Sequence, residues 1–317
     1  MRRALVIGLQ KYSNSPLKGC INDAKKIAQL LKYNEDNSPN FGCKLLTDEN
    51  ETVNWQKLKT AIMDLFVADG FEAVLLYFSG HGDIDITGGG SIIASDPREG
   101  NIGVSMDDIL LWANLSNALN KIIILDCCYS GAFGNPSLNN GHLTHIGNGV
   151  TIITSSMKNQ TSLQEGSQGV FTGLLIEALE GGAADLFGNI TSGNIYGFID
   201  KALGPWGQRP VFKTNINFSM PIRKVQPPIS LEILKKIPIY FKTIDQYYSL
   251  DPSYEDNLPE TDPEHVKILR DLQKMVSVGL VKPVGEEHMY YAVKNSKSCK
   301  LTSLGQCYWR FINEGQF

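Results

Sequence analysis

Residues 73–82 read Ala-Val-Leu-Leu-Tyr-Phe-Ser-Gly-His-Gly, and the fold can be worked out from this stretch. Its first six residues are a nearly unbroken apolar run, which is typical of a strand buried on both faces of a sheet. A second such run, Ile122–Leu125, leads directly into Asp126-Cys-Cys-Tyr-Ser-Gly131. Both strands therefore end in a polar, glycine-containing turn. In an open parallel sheet the carboxyl ends of the strands form the edge where ligands bind, so the two turns are expected to share one crevice if the strands are neighbours.

Short β-rich runs alternate with helical patterns from the N-terminus to about Ala202, which predicts an α/β fold with a mostly parallel sheet. Further strands are predicted at Ala4–Ile7, Lys44–Leu46 and Thr151–Thr154, and helices at Asp23–Leu31, Val53–Phe66, Asp107–Trp112 and Phe171–Leu179.

The chain has 317 residues, which exceeds the usual size of one domain. The proline-containing stretch 221–228 is typical of a linker, so we predict a first domain over 1–222, a linker over 223–229 and a small second domain over 230–317. The pattern predicted for the second domain is α+β and winged-helix-like: helix Val266–Val278, a strand after Gly279, a turn at Gly285, strand Met289–Val293 and helix Thr302–Ile312.

Composition excludes several classes of protein. No apolar run reaches the roughly 18–20 residues of a membrane span. The net charge of −4 gives no general attraction for nucleic acid or for an anionic membrane. The six cysteines are scattered and form no CxxC pair, which favours reduced thiols and a cytoplasmic location.

The two turns carry residues suited to nucleophilic catalysis. A thiol of ordinary pKa is mostly protonated at neutral pH and needs a base within hydrogen-bond reach, for which His81 is the natural candidate. The flanking glycines let the backbone approach a substrate, and we expect the amides of Gly82 and Cys128 to stabilise an oxyanion. The alternatives are an inert buried cysteine and a structural histidine. His142 and His145, spaced i, i+3, are rival bases or metal ligands.

Together, Tyr77-Phe-Ser-Gly-His-Gly82 and Asp126-Cys-Cys-Tyr-Ser-Gly131 resemble the His and Cys boxes of caspase-like peptidases, nearest to metacaspases and their bacterial relatives. Gly19-Cys-Ile-Asn-Asp-Ala24 and Val170-Phe-Thr172 extend the resemblance over about the first 215 residues. It implies a three-layer α/β/α fold with a mostly parallel six-stranded sheet. It also implies that Cys128 is the nucleophile, His81 the base and Cys127 a packing residue.

The same resemblance implies that Asp23, Ser79 and Asp126 form the pocket for the side chain before the cleaved bond, so that proteins and peptides are cut after Arg or Lys. A buried carboxylate is costly unless it meets a cation, and the planar guanidinium can meet two such groups. The alternatives are a helix cap for Asp23 and a turn hydrogen bond for Asp126.

Metacaspases commonly bind calcium, and the resemblance implies a calcium site at Asp96, Asp107 and Asp108; no other cofactor is expected. Asn135 stands where the family often has a further aspartate, and hard cations prefer several charged oxygens. The alternative is that these are solvated surface acids. Tyr129 occupies a position where metacaspases commonly have histidine.

Self-processing is expected away from the nucleophile, because the chain has no Arg or Lys between Lys121 and Lys158. Lys158 and the pair Arg223-Lys224 are the predicted sites. Cleavage at the pair would release the second domain, which suggests that this domain is a regulatory lid or docks a protein partner.

The sequence therefore predicts a cysteine endopeptidase, and the resemblance to caspase-like peptidases implies a role in proteolytic signalling, cell death or phage defence. One alternative is a catalytically silent scaffold of the same fold. Another is a DNA-binding regulator, whose phosphate contacts would come from Lys294, Lys297, Lys300 and Arg310. From Val225 onward the chain has 11 basic and 12 acidic residues, a net charge of −1, which favours a protein partner over nucleic acid.

Overall fold

A computed structural model describes residues 1–84, 89–98, 101–128, 130, 146–155, 164–165, 168–204, 209–256, 259 and 261–316. The chain divides into two compact units, Met1–Gln226 and Pro227–Phe317. Each unit is described by itself. In the described part of the chain, no helix has both the length and the apolar character needed to cross a membrane.

A six-stranded sheet forms the centre of the first unit, in the order β12-β8-β7-β3-β1-β2. Five strands are mutually parallel, and β12 runs antiparallel to β8 at one edge. This confirms the predicted mostly parallel sheet. The strands are β1 (Arg2–Gly8), β2 (Gly42–Thr47), β3 (Ala73–Ser79), β7 (Asn120–Asp126), β8 (Val150–Thr154) and β12 (Val211–Asn215).

Helices cover both faces of this sheet, because side chains that alternate along each strand need apolar cover on both sides. In β1, Leu5 and Ile7 join the core on one face, whereas Ala4 and Val6 join the core on the other. The first core is closed by α2 (Trp55–Val67) and α3 (Met106–Leu115), and the second by α1 (Cys20–Lys32), α4 (Val170–Glu177) and α5 (Ser192–Leu203).

The register of β3 against β7 positions the two polar turns. Every residue of both strands is buried, and Ser79 pairs with Asp126 at their carboxyl ends. The turns that follow therefore begin side by side. Short strands complete the unit: β4 (Gly82–Ile84), β5 (Gly90–Arg98) and β6 (Asn101–Ser105) form one antiparallel sheet, and β9 (Gln164–Glu165) pairs with β10 (Gln168–Gly169).

The structure corrects the start of the predicted linker. Arg223 and Lys224 form strand β13, which pairs antiparallel with β11 (Asn189–Ile190). The Arg223 guanidinium donates hydrogen bonds to the carbonyl oxygens of Leu179, at 2.6 Å, and Tyr33, at 3.2 Å. The pair is thus held within the first unit, which does not favour its use as an exposed processing site.

The second unit contains a three-stranded antiparallel sheet in the order β14-β16-β15. Its elements are α6 (Leu231–Leu234), α7 (Ile237–Tyr240), β14 (Tyr247–Ser249), α8 (Pro263–Ser277), β15 (Val281–Val284), α9 (Met289–Lys294), β16 (Ser298–Leu301) and α10 (Ser303–Asn313).

The predicted strand Met289–Val293 is wrong, because this segment is helix α9. Its buried residues Met289, Ala292 and Val293 are spaced i, i+3, i+4, which is the period of a helix face. Strands β15 and β16 are therefore joined through a helix and not by the hairpin that the winged-helix prediction requires. Among the residues suggested for DNA contact, Lys300 places its ammonium group 5.1 Å from the centre of the Tyr247 ring.

Candidate active site

A cavity of about 220 Å³ opens where β3 and β7 end. Five residues predicted from the sequence line it together: Asp23, Ser79, His81, Asp126 and Cys128. The remaining lining residues are Leu17, Lys18, Cys20, Gly80 and Gly169. The two turns and the start of α1 therefore converge on one crevice, as the arrangement of strands predicted.

The His81 imidazole is held by the loop that follows β1. Its Nε2 atom lies 2.7 Å from the backbone carbonyl oxygen of Ser15. A carbonyl oxygen can only accept a hydrogen bond, so Nε2 carries the proton in the neutral ring. Nδ1 then keeps its lone pair, which is the state that a general base requires.

Tyr12 is a further residue of the site, which could not be identified from the sequence. Its buried hydroxyl accepts a hydrogen bond from the backbone N–H of His81 at 3.0 Å and donates one to the carbonyl of Ile93 at 3.2 Å. The Tyr12 ring meets the imidazole edge-on, with 4.5 Å between ring centres. Burial raises the pKa of Tyr12 well above its ordinary value, so the hydroxyl stays protonated and can donate. In the sequence, Tyr12 is distinguished only as one aromatic residue within a polar loop, which does not indicate a role in the site.

The glycines of the His turn are required by close packing. A Cβ atom on Gly80 would lie 2.6 Å from the Tyr12 hydroxyl, which is too close. A Cβ on Gly82 would collide with the carbonyl oxygen of Cys128 and would lie 3.1 Å from the sulfur of Cys127. Only glycine therefore allows the backbones of the His and Cys turns to pack against each other at this point.

The two adjacent cysteines differ in their surroundings. Cys127 is 1% exposed, and burial, with a further contribution from the Asp126 charge, raises its pKa well above the ordinary value. A thiol in this state is a packing residue and a poor nucleophile. Cys128 is half-buried and lines the cavity. Cys20 also lines the cavity, but burial raises its pKa to about 11, so its thiol too stays protonated.

The polar residues Asp23, Ser79 and Asp126 are buried at the cavity, each less than 10% exposed. Burial raises the pKa of Asp126, and hydrogen bonds from Thr172 and Ser155 oppose the rise. Helix α1 has no side-chain cap, so Asp23 does not cap it. The hydrogen bonds to Asp126 come from other elements and do not close a local turn.

The three aspartates suggested for calcium lie in two different elements. Asp96 lies in β5, whereas Asp107 and Asp108 are exposed in the first turn of α3, where a helix dipole favours acidic residues. Across the residues that the structure describes, no three His, Cys, Asp or Glu side chains are grouped so that they could hold a metal ion. The predictions for Tyr129, Asn135, His142, His145 and Lys158 lie outside the described residues.

Comparison with known proteins agrees with the fold and the cavity described above. A family model described as the caspase domain matches residues 1–196, which is more than half of the chain. No curated protein matches this sequence. Two of the solved structures that match illustrate the shared fold. A crystal structure of a Geobacter sulfurreducens protein has a TM-score of 0.52 at 17% identity and covers 71% of this chain and 99% of that one.

The second structure is caspase-1 from Spodoptera frugiperda, with a TM-score of 0.52 at 14% identity, covering 71% of this chain and 90% of that one. Identities this low show a common fold and nothing finer. The family match adds a cysteine peptidase-like function, in agreement with a cysteine and a histidine that line one cavity at the end of the central sheet. With fold, cavity and family model in accord, the chain belongs to the caspase domain family.

Proposed function

We propose that the protein is a cysteine endopeptidase that cleaves proteins after Arg or Lys, with Cys128 as nucleophile and His81 as general base. The observation that carries this proposal is the single cavity lined by both residues together with the buried carboxylic acids of Asp23 and Asp126.

Catalysis begins when Nδ1 of His81 takes the proton of the Cys128 thiol. The thiolate attacks the carbonyl carbon of the scissile bond, and the carbonyl electron pair moves to oxygen, where the amides of Gly82 and Cys128 donate hydrogen bonds. The tetrahedral intermediate collapses and expels the amine, which receives the proton from His81. His81 then deprotonates a water molecule that attacks the thioester, and the carboxylic product leaves as the thiol is regenerated.

Specificity follows from charge in the cavity. Two buried carboxylic acids at one site favour a cationic guest, because charges interact strongly in a poorly solvated place and a cation is attracted to both groups. A substrate aspartate would add a third negative charge and is disfavoured. The guanidinium of arginine can bond two carboxylates through its planar fork, whereas lysine offers a point charge.

The wider role rests on the family and on composition. We propose that the peptidase acts in proteolytic signalling, cell death or phage defence, and that the second unit regulates it or docks a protein partner. All six cysteines are free thiols, which favours a reducing compartment such as the cytoplasm.

The test is hydrolysis of fluorogenic peptides that end in Arg, Lys or Asp, with calcium and with a chelator. We expect release from the Arg and Lys peptides, abolished in Cys128→Ala and kept in the control Cys307→Ala, whose cysteine is exposed in the second unit. Cleavage after Asp alone would refute the acidic pocket. If no peptide is cleaved under any condition, the silent scaffold is the better account.

A further inference from the structure

A line of buried hydroxyl groups ends on the carboxyl group of Asp126. Thr172 Oγ1 donates a hydrogen bond to Asp126 Oδ2 at 2.7 Å, and the Tyr77 hydroxyl lies 2.6 Å from the same Thr172 oxygen. Thr172 has one hydroxyl hydrogen, which points to Asp126, so Tyr77 must donate to Thr172. Tyr77 and Thr172 are fully buried, and the mechanism above uses neither.

The N-terminus of helix α4 also stabilises the same carboxyl group. Thr172 lies in its first turn, where backbone N–H groups have no partner within the helix, and its own N–H bonds to Asp126. The positive end of the helix dipole favours the ionised carboxylate. A Cβ atom on Gly169 would lie 2.9 Å from Asp126 Oδ2, so the carboxyl group fills the space directly before the helix.

We propose that Thr172, oriented by Tyr77, is the positioning residue that holds the Asp126 carboxylate for the basic side chain of the substrate. The proposal rests on the proposed function, because it assumes that Asp126 receives a cation. A cation bonds well only to an acceptor that is already in place, and two buried donors in series remove the rotational freedom of this carboxylate.

The charges around Asp126 give the proposal a pH signature. Burial raises the pKa of Asp126, and the donors Thr172 and Ser155 lower it by stabilising the ionised form. Removing the Thr172 hydroxyl therefore raises that pKa further. Among the described residues, other titratable groups close to Asp126 include Cys20 and Asp23 from α1, Tyr77 from β3 and Cys127 from its own turn. Lys18, His81 and Cys128 line the same cavity.

A basic side chain binds the ionised carboxylate, so affinity falls as the pH falls through the pKa of Asp126. Without the Thr172 hydroxyl this loss occurs at higher pH. Substitution of a residue with a purely structural role would not shift the pH at which the affinity for a basic side chain is lost.

The experiment measures binding of a fluorescent peptide with a C-terminal arginine amide to the full-length protein carrying Cys128→Ala, which prevents turnover. Thr172→Val, Thr172→Ser and Tyr77→Phe are compared between pH 5 and 9. We expect Thr172→Val to weaken binding roughly tenfold or more, as loss of a hydrogen bond to a charged group does, and to move the profile to higher pH. Thr172→Ser keeps the hydroxyl and should restore both the affinity and the pH profile. Tyr77→Phe should weaken binding by less than Thr172→Val does.

Equal affinity and an unmoved profile in Thr172→Val would overturn the proposal, as would equal losses in the Val and Ser variants. If Thr172→Val does not fold, as judged by its thermal unfolding, Tyr77→Phe takes its place. Unchanged affinity and an unmoved pH profile in Tyr77→Phe would then overturn the proposal. If the arginine peptide fails to bind even with Thr172 and Tyr77 intact, the acidic pocket of the proposed function has failed, and the positioning proposal fails with it.

Discussion

At the scale of single residues, the base of the proposed dyad is restrained from two sides by one loop. The Tyr12 hydroxyl holds the backbone of His81, and the carbonyl of Ser15 holds the far nitrogen of its ring. Both groups come from the segment between β1 and α1, so this loop sets where the imidazole stands and which nitrogen carries the proton. A general base contributes to rate only when its geometry is right, which makes Tyr12 a positioning residue.

Tyr12→Phe removes the hydroxyl and leaves the His81 N–H and the Ile93 carbonyl without that partner. We expect kcat on an arginine peptide to fall roughly tenfold with KM unchanged, and the free energy of unfolding to fall by about 1–3 kcal/mol. Steady-state kinetics and urea denaturation measure both, with the exposed Tyr290→Phe as control. A rise in KM at constant kcat would show that Tyr12 serves the substrate pocket and not the base.

At the scale of elements, the site depends on β3 and β7 lying side by side in register, which brings the turns after them into contact. Gly82 is one point of contact, because its missing Cβ leaves room for the carbonyl of Cys128. The oxyanion amides proposed above belong to these same two residues, so the packing of the turns and the chemistry are coupled.

Gly82→Ala should force the turns apart. We expect a loss of about 1–3 kcal/mol in the free energy of unfolding, the usual cost of overpacking, together with a lower kcat. The matched control is Gly197→Ala, since Gly197 is exposed within helix α5 and has open space where a Cβ would stand. There the substitution should raise stability by about 0.5–1 kcal/mol. Denaturation curves of the two variants that shift in the same direction would contradict this account.

The elements also show what the sequence could and could not predict. The strands Ala73–Phe78 and Ile122–Leu125 were predictable because a doubly buried strand is apolar at every position. Segment 289–293 was misassigned because helix and strand patterns are ambiguous in short apolar runs. The roles of Tyr12 and Thr172 could not be predicted, because their hydrogen-bond partners lie 69 and 46 positions away in the chain. No local sequence pattern indicates such pairs.

At the scale of the whole molecule, the first unit ends at Gln226 and includes strand β13. The unit has its own cores on both faces of its sheet, and the second unit has its own sheet and helices. The boundary predicted from prolines falls four residues too early, because the pairing of β13 with β11 is a long-range contact.

The corrected boundary predicts different behaviour for two truncated chains. Residues 1–226 should fold and cleave arginine peptides, whereas residues 1–222 lose β13 and the hydrogen bonds of the Arg223 guanidinium. We expect the midpoint of thermal unfolding of the shorter chain to lie lower by several degrees, since each lost kcal/mol lowers it by roughly 2–4 °C in a unit of this size. Calorimetry of both chains is the measurement, and equal midpoints would refute the role of β13.

The central claim is that Cys128 is a nucleophile beside a pocket for a basic side chain, and covalent labelling tests it most directly. The full-length protein is treated with an arginyl chloromethyl ketone, from which a thiolate displaces chloride to form a thioether, and the modified peptide is identified by mass spectrometry. The account predicts an adduct on Cys128 and on none of the other five cysteines, formed more slowly in His81→Ala and by the matching aspartyl reagent. Labelling of Cys127 or Cys20 in place of Cys128, or equal rates with both reagents, would contradict it.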